Sequence, residues 1–306
     1  MSHLGSSGRV TVTVVGASPQ SAYALVATND GKISRLYPNG TLTLIGQPVT
    51  TPLRSVAWKP DGSYALISGD FAVLLKYDGT SLTTVSTGIS TGFNFWTVSW
   101  KPDGSFALVG GTSGILFKYD GVSVTTIPNT SSTILAISWN PSGGYALLVG
   151  KAGLALTYDG TTVRSFATGT TFDLDAAAWN PNGAYALIGG LNRTLLTFNG
   201  TGITAINTSI IPPSNAVRAI AFNQAGTLAL LAGDNGMVLT YNGSTLTILS
   251  TGTSSWLYSI SWSASGTAYI VGNIGTVLTY SNGTLTKLST TPTSASSFRG
   301  IAWKPQ

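Results

Sequence analysis

Seven positions spaced about forty residues apart carry side chains whose types could form one binding site. They combine three guanidinium groups, one carboxylate, two aromatic rings and one leucine. A guanidinium fork can bind a carboxylate or a sulfate, and an aromatic face can stack on a sugar. The set therefore predicts a site for an anionic or sugar-like ligand, with every member except the leucine as a binding candidate. The positions are Arg54, Trp96, Leu135, Asp175, Arg218, Tyr258 and Arg299.

Residues that most hydrolases and metalloproteins use are scarce. The sequence has no Cys, a single His at position 3, and ten acidic residues that are all Asp. Disulfides, thiolate nucleophiles and Cys-ligated metals are thus excluded, and His-based triads and metal sites are unavailable. Asp70, Asp173 and Asp234 are the acids noted outside the main turn positions, and no phosphate-binding loop is evident. We predict no catalytic residue, no metal and no cofactor.

An aromatic anchor followed by a turn recurs along the chain after residue 8. Trp58 lies in AWKPDGSYAL and Trp100 in SWKPDGSFAL, and a decayed copy reads GASPQSAYAL near residue 17. Because the anchors share one strand position, we expect them to form the core between repeating units rather than a ligand-stacking array. The anchors are Trp58, Trp100, Trp139, Trp179, Phe222, Trp262 and Trp303.

Each repeat has the pattern of four short strands. Apolar residues alternate or form short runs between Gly, Asn, Asp and Pro, and no segment has the helical period. In the second repeat the strands are predicted at 55–58, 64–68, 73–77 and 82–85. Asp-Gly or Asn-Gly pairs provide tight hairpin turns, so Asp61, Asp78, Asp103, Asp120 and Asp159 are interpreted as turn formers. Four antiparallel strands about every forty residues predict an all-β, seven-bladed β-propeller.

The ends of the chain are expected to close the ring. The pattern contains seven second strands but eight first strands, of which 298–303 matches the repeat better than 10–15. We predict that 298–303 enters blade 1 as its innermost strand or pairs beside the N-terminal strand. The alternative is an excised part of a longer array, with Trp303 opening an eighth blade. Residues 9–306 are assigned to one propeller domain, and 1–8 to a tail that is either a cloning scar or the start of a mature or non-secreted protein.

The W-x-P-D-G segment followed by Tyr-Ala-Leu, at this period, resembles the WD40 and YVTN-like seven-bladed propellers over essentially the whole chain. The third strands end in Lys-Tyr-Asp-Gly or Thr-Tyr-Asn-Gly, and the Gly-His and Trp-Asp pairs of WD40 repeats are absent. The resemblance therefore implies the architecture and not an activity, since propellers include enzymes, lectins and scaffolds.

In a propeller whose first strands line the axis, the seven variable residues surround one mouth of the central channel. The leading interpretation is a non-catalytic binding or scaffold propeller that takes a protein or glycan partner there. Two alternatives stay open at the same mouth, namely a lectin and a lyase-like enzyme acting on anionic sugars, with Asp175 or Tyr258 as acid–base element. A further alternative is structural: these residues close the channel, and Asp175 pairs with an arginine.

Apolar crossover residues on the same side favour a large partner. Phe93, Phe95, Phe172, Trp256, Ile210 and Ile211 are expected to enlarge the apolar surface around the mouth.

Charge and polarity limit the other partners and the location. The net charge of +5 is spread over the chain, so nucleic acid is not expected, and the absence of a long apolar run argues against membrane insertion. Charged residues make up only 8% of the chain, beside abundant Ser, Thr, Asn and Gly. This composition favours an extracellular, cell-surface or virion location, with the cytoplasm as the alternative. The oligomeric state is not indicated.

Overall fold

The computed structural model describes residues 22–128, 132–291 and 295–305. These residues form a seven-bladed β-propeller of seven four-stranded antiparallel sheets, with three short 3-10 turns at Thr112–Gly114, Lys151–Gly153 and Asp234–Gly236. The strands are β1 (Ala24–Thr28), β2 (Ile33–Leu36), β3 (Leu42–Gly46), β4 (Leu53–Trp58), β5 (Ala65–Gly69), β6 (Leu74–Tyr77), β7 (Leu82–Thr84), β8 (Phe95–Trp100), β9 (Ala107–Gly111), β10 (Leu116–Tyr119), β11 (Val124–Thr126), β12 (Ile134–Trp139), β13 (Ala146–Gly150), β14 (Ala155–Tyr158), β15 (Val163–Ser165), β16 (Leu174–Trp179), β17 (Ala186–Gly190), β18 (Leu195–Phe198), β19 (Ile203–Ala205), β20 (Val217–Phe222), β21 (Ala229–Gly233), β22 (Val238–Tyr241), β23 (Leu246–Leu249), β24 (Leu257–Trp262), β25 (Ala268–Gly272), β26 (Val277–Ser281), β27 (Thr284–Lys287) and β28 (Phe298–Trp303).

The first strands of the blades pack against one another in a closed ring. Blades 2 to 7 each use four consecutive strands, starting at β4, β8, β12, β16, β20 and β24. Each of these first strands contacts the first strand of the next blade, and β28 contacts both β24 and β4. This closed set of contacts confirms the predicted toroid, with the first strands around its axis.

Blade 1 is completed by the C-terminal strand. Its order is β28-β1-β2-β3, and Ala24 of β1 pairs antiparallel with Trp303 of β28. The prediction that 298–303 is the innermost strand of blade 1 is confirmed, and Trp303 does not open an eighth blade. The proposed N-terminal strand at 10–15 and the tail at 1–8 lie outside the described residues.

The tryptophan anchors form the core between blades, as predicted. Trp100 is 7% exposed, and its ring meets the ring of Tyr64 in the preceding blade edge to face at 5.3 Å. Its indole Nε1 donates a hydrogen bond to the Ala57 carbonyl oxygen, 3.3 Å away. Trp58, Trp139 and Trp262 donate equivalent bonds, so at four of the seven anchors apolar burial is joined to a specific polar contact with the preceding blade.

The predicted turn residues stabilise the face opposite the mouth by local hydrogen bonds. The Asp120 carboxylate accepts hydrogen bonds from the backbone N–H groups of Val122 and Ser123, at 2.9 and 2.7 Å. The Tyr119 hydroxyl donates to the Gly121 carbonyl oxygen at 2.7 Å, and Gly121 has the positive φ of +104° that this turn needs. Asp78 and Asp159 accept equivalent bonds in their blades, which confirms their role as turn formers.

Candidate binding site at the channel mouth

One side chain from each blade lines a cavity of about 160 Å³ at the mouth of the channel. The lining is the set singled out in the sequence: Arg54, Trp96, Leu135, Asp175, Arg218, Tyr258 and Arg299. The structure therefore brings all six candidate binding residues and Leu135 together. Whether they bind a ligand stays a prediction.

A β-bulge places each of these residues. In β4, Leu53 pairs with Gly69 and Ser55 with Ser68, so Arg54 is left without a partner in the ladder. The other five bulged first strands skip their mouth residue in the same way, and β28 pairs with β1 around Arg299. A bulge leaves one residue unpaired and redirects its side chain, which explains how an inner strand presents this residue to the cavity.

Small residues line the channel next to the mouth. A cavity of about 250 Å³ includes the residue that follows each mouth position. Because these side chains are short, the inner strands can approach one another while space remains along the axis. They are Ser55, Thr97, Ala136, Ala176, Ala219, Ser259 and Gly300.

Arg54 is neutralised within its own blade. Its guanidinium Nε and Nη2 donate to the two carboxylate oxygens of Asp70, at 2.8 and 2.6 Å. The guanidinium carbon lies 4.3 Å from the ring centroid of Trp96, over the ring. The two hydrogen bonds to Asp70 and the contact with the Trp96 ring hold the Arg54 side chain in one position.

Arg218 joins two carboxylates from neighbouring blades. Its Nε and Nη2 donate to Asp234, and Nη1 donates to Asp175 Oδ2 at 3.1 Å. Its guanidinium carbon lies 4.8 Å from the Trp256 ring centroid. The structural alternative drawn from the sequence is thus confirmed in one respect, because Asp175 does pair with an arginine.

The pKa of Asp175 is raised to about 6. Burial has the largest effect, since it disfavours the charged carboxylate, and the nearby Asp173 and Asp234 raise the pKa further. Arg218 opposes these effects. The environment of the mouth therefore disfavours the ionised form of Asp175.

Arg299 differs from the other two arginines of the mouth. Its guanidinium carbon lies 3.9 Å from the ring centroid of Tyr258, and its Nε is buried without a hydrogen-bond partner. All ten Asp residues belong to the described part of the chain, and none forms an ion pair with Arg299. One guanidinium of the mouth is therefore left without a carboxylate from the described part of the chain.

Exposed apolar side chains gather on the face that carries the mouth. Eight large hydrophobic residues are exposed in the described ranges, and five of them lie in crossovers or in turns between second and third strands on this face. We call these five the apolar rim. It consists of Phe71, Phe172, Ile210, Trp256 and Ile274.

The sequence prediction of this surface was correct in part. Phe172, Ile210 and Trp256 are exposed and Phe93 is half-buried, but Phe95 and Ile211 are fully buried, which corrects their assignment to the surface. The Phe95 side chain packs in the core of blade 3, where its ring meets Phe117 at 5.1 Å. Ile211 packs against residues of blades 5 and 6.

Two features of the face escaped the sequence analysis. Phe71 and Ile274 were passed over because they occupy turn positions where apolar residues are unusual. The pairing of Arg54 with Asp70 and of Arg218 with Asp234 was also missed, although both pairs have a separation of 16 residues. That repeated separation is the signal that could have revealed it.

Comparison with known proteins supports the fold. No family model matches the chain, and no curated protein matches it. A chain in a solved structure titled "Crystal Structure of Mitotic Checkpoint Complex" is similar, with a TM-score of 0.70 and 16% sequence identity. The match covers 97% of this chain and 92% of that chain. The predicted resemblance to WD40-like seven-bladed propellers is thus confirmed at the level of architecture.

The described residues contain neither a membrane-spanning helix nor a cluster of metal-binding side chains. None of the helical segments is long and apolar enough to cross a membrane. Nor do three or more His, Cys, Asp or Glu residues come together there as a metal site would require.

Proposed function

We propose that the chain is a non-catalytic binding propeller that engages a protein partner through the face carrying the channel mouth. The observation that carries this proposal is the set of exposed apolar side chains, the apolar rim, on the same face as the cavity. Exposed apolar surface bordered by polar groups is typical of protein-binding sites. The low charge of the chain is compatible with a partner at a cell surface or in an extracellular layer, a location that stays a prediction.

Two rim residues adopt a conformation that local structure alone does not favour. Phe71 and Ile274 lie at turn tips with φ of +58° and +53°, and they are 56% and 73% exposed. The corresponding turn of blade 6 has Asn235-Gly236, the pair preferred for such a turn. Left-handed backbone at a non-glycine residue costs about 1 kcal/mol or more. Exposed apolar residues kept at this cost support a role in contacting a partner.

The same turns allow a test that preserves the fold. In the double variant with Phe71→Asn and Ile274→Asn, asparagine tolerates the left-handed conformation, so the propeller should stay folded. The matched control is Val122→Asn, because Val122 is 91% exposed on the opposite face. Random peptides displayed on phage would be selected on the wild-type protein, and their affinities measured on all three proteins.

We expect the selected peptides to bind the double variant about tenfold more weakly, since a few exposed anchors carry most of the energy of an interface. The Val122→Asn variant should bind them as the wild type does. Equal affinity for the wild type and the double variant would disprove partner binding at the rim.

A catalytic role has one observation in its favour, the raised pKa of Asp175. That carboxylate is hydrogen-bonded to Arg218, however, and the chain offers no second carboxylate in the cavity lining. Turnover and binding assays on uronic-acid oligosaccharides test the enzyme alternative and the lectin alternative, respectively. Turnover that is lost in Tyr258→Phe would replace the binding proposal by a lyase.

A further inference from the structure

Two of the three arginines at the mouth have a carboxylate supplied by the same position of their blade. Asp70 and Asp234 each follow the second strand directly, and each lies 16 residues after its arginine. The same backbone hydrogen bond fixes Asp70 and Asp234 in their blades. The N–H of Asp70 donates to the Pro52 carbonyl oxygen at 2.9 Å, and the N–H of Asp234 to that of Ala216 at 3.3 Å. In both blades the accepting carbonyl lies two residues before the arginine.

Blade 1 has the same backbone but an amide in place of the carboxylate. The N–H of Asn29 donates to the Ser297 carbonyl oxygen at 3.0 Å, and Ser297 lies two residues before Arg299. The side-chain oxygen of Asn29 accepts a hydrogen bond from the Ser297 N–H at 2.9 Å. Asn29 is therefore the counterpart of Asp70 and Asp234, and it carries no charge with which to neutralise Arg299.

The acid next to Asn29 in the sequence is engaged elsewhere. Asp30 follows Asn29 directly, but its carboxylate accepts hydrogen bonds from Lys32 at 2.5 Å and from Ser296 at 2.8 Å. It also accepts one from the hydroxyl of Thr28. Its charge is thus balanced by Lys32 and not by Arg299.

We propose that Arg299, which lies over the ring of Tyr258, binds a carboxylate of the protein partner, so that the partner completes in blade 1 the ion pair that blades 2 and 6 contain themselves. This inference rests on the proposed function, because it names the chemistry of the partner at the same site. A half-buried guanidinium gains more from a carboxylate than a fully exposed one does, because water competes less for it.

The surroundings of Arg299 favour a peptide carboxylate over one from a sugar. Arg299 belongs to blade 1, and the two rim residues at strained turn tips belong to the flanking blades, Phe71 to blade 2 and Ile274 to blade 7. The cavity of about 160 Å³ can hold a group the size of one side chain. These features together fit a segment with an Asp or Glu side chain, or a terminal carboxylate, between apolar residues.

Peptides that need the apolar rim allow a direct test. Each acidic residue of a selected peptide would be replaced by its amide, and affinity measured on the wild type and on Arg299→Gln. We expect one amide replacement to weaken binding to the wild type about tenfold or more, as for a charge-assisted hydrogen bond, and to have little effect on Arg299→Gln. Thermal unfolding of each variant would confirm that it is folded.

A second variant tests the inference without removing the arginine. Asn29→Asp retains the oxygen that accepts from Ser297 and gives Arg299 a carboxylate of its own chain. We expect it to weaken binding of the acidic peptide about tenfold, while Val122→Asn binds as the wild type does.

The outcomes separate this inference from the proposed function. If rim-dependent peptides bind equally well with amides, or bind Asn29→Asp unchanged, the carboxylate inference is wrong while partner binding at the rim stands. If no selected peptide depends on the rim, the proposed function itself fails. If oligogalacturonate binds through Arg299 and acidic peptides do not, the carboxylate comes from a glycan and the assignment to a protein is overturned.

Discussion

The two faces of the propeller are made by the same repeat but are stabilised in different ways. On the face opposite the mouth, Tyr119 and Asp120 bond to backbone groups within three residues, and Tyr158 and Asp159 do the same one blade later. At the mouth, the seven lining side chains differ from blade to blade, and Arg218 reaches Asp175 in the neighbouring blade. The repeated face builds the scaffold, and the variable face provides a single composite site.

The two faces differ because polar groups on one face bond within their own turn, whereas the arginines of the mouth bond to side chains from other parts of the chain. A turn that satisfies its own backbone can be copied in every blade, because it depends on no other blade. A half-buried arginine at the mouth is neutralised only where a carboxylate stands at a matching place, so its neutralisation depends on a second residue. Arg54 and Arg218 have that second residue, and Arg299 does not.

The largest effect is expected from removing one arginine that has a carboxylate partner and one that has none. Arg218→Gln leaves the carboxylates of Asp175 and Asp234, which are 16% and 11% exposed, without their cation. We expect it to lower the free energy of unfolding by about 3 kcal/mol, against less than about 0.5 kcal/mol for Arg299→Gln. Urea denaturation of both variants checks this. Equal losses would mean that Arg299 has a structural role like that of Arg218.

A smaller effect is expected from the ionisation of Asp175. Its pKa is raised from 3.8 to about 6 in the folded protein, so the folded state keeps the proton that the unfolded state loses. Stability relative to Asp175→Asn should therefore be highest below about pH 4 and fall by about 3 kcal/mol in total as the pH rises to about 7, with little further loss above.

Urea denaturation of the wild type and Asp175→Asn across this pH range measures the difference. A difference that does not change with pH would show that Asp175 ionises normally and that the mouth is better solvated than its geometry indicates.

The smallest effect is expected on the opposite face. Asp120→Asn should change the melting temperature by less than about 1 °C, because asparagine keeps the oxygen that accepts from Val122 and Ser123. Asn199 and Asn242 already occupy this position in blades 5 and 6. Asp120→Ala should lower it by about 2 °C or more, since the bonds are lost. A large effect of Asp120→Asn would contradict the view that this face needs only turn geometry.

Most of the fold and the membership of the site could be predicted from the sequence. The blade count, the innermost position of 298–303 and the core role of the anchors follow from a repeat that is visible residue by residue. The mouth residues were found because Arg54, Asp175 and Tyr258 vary at a position where neighbouring positions stay similar. The assignment of Phe95 and Ile211 to the surface was wrong. Phe95 begins strand β8 and faces the core, and Ile211 lies in a crossover, where packing decides which way an apolar side chain turns.

By itself the sequence determined the blades and their turns, because strand periodicity and turn chemistry act over a few residues and are repeated seven times. It predicted closure by 298–303, and the structure decided that this strand is the innermost one of blade 1. Only the tertiary structure decided which arginines are neutralised, since ion pairing depends on which side chains the bulges and the ring bring together. Arg54 and Arg299 are both arginines at the same position of the repeat. Arg54 is neutralised by Asp70, whereas the corresponding residue in blade 1 is the uncharged Asn29, so Arg299 is not neutralised.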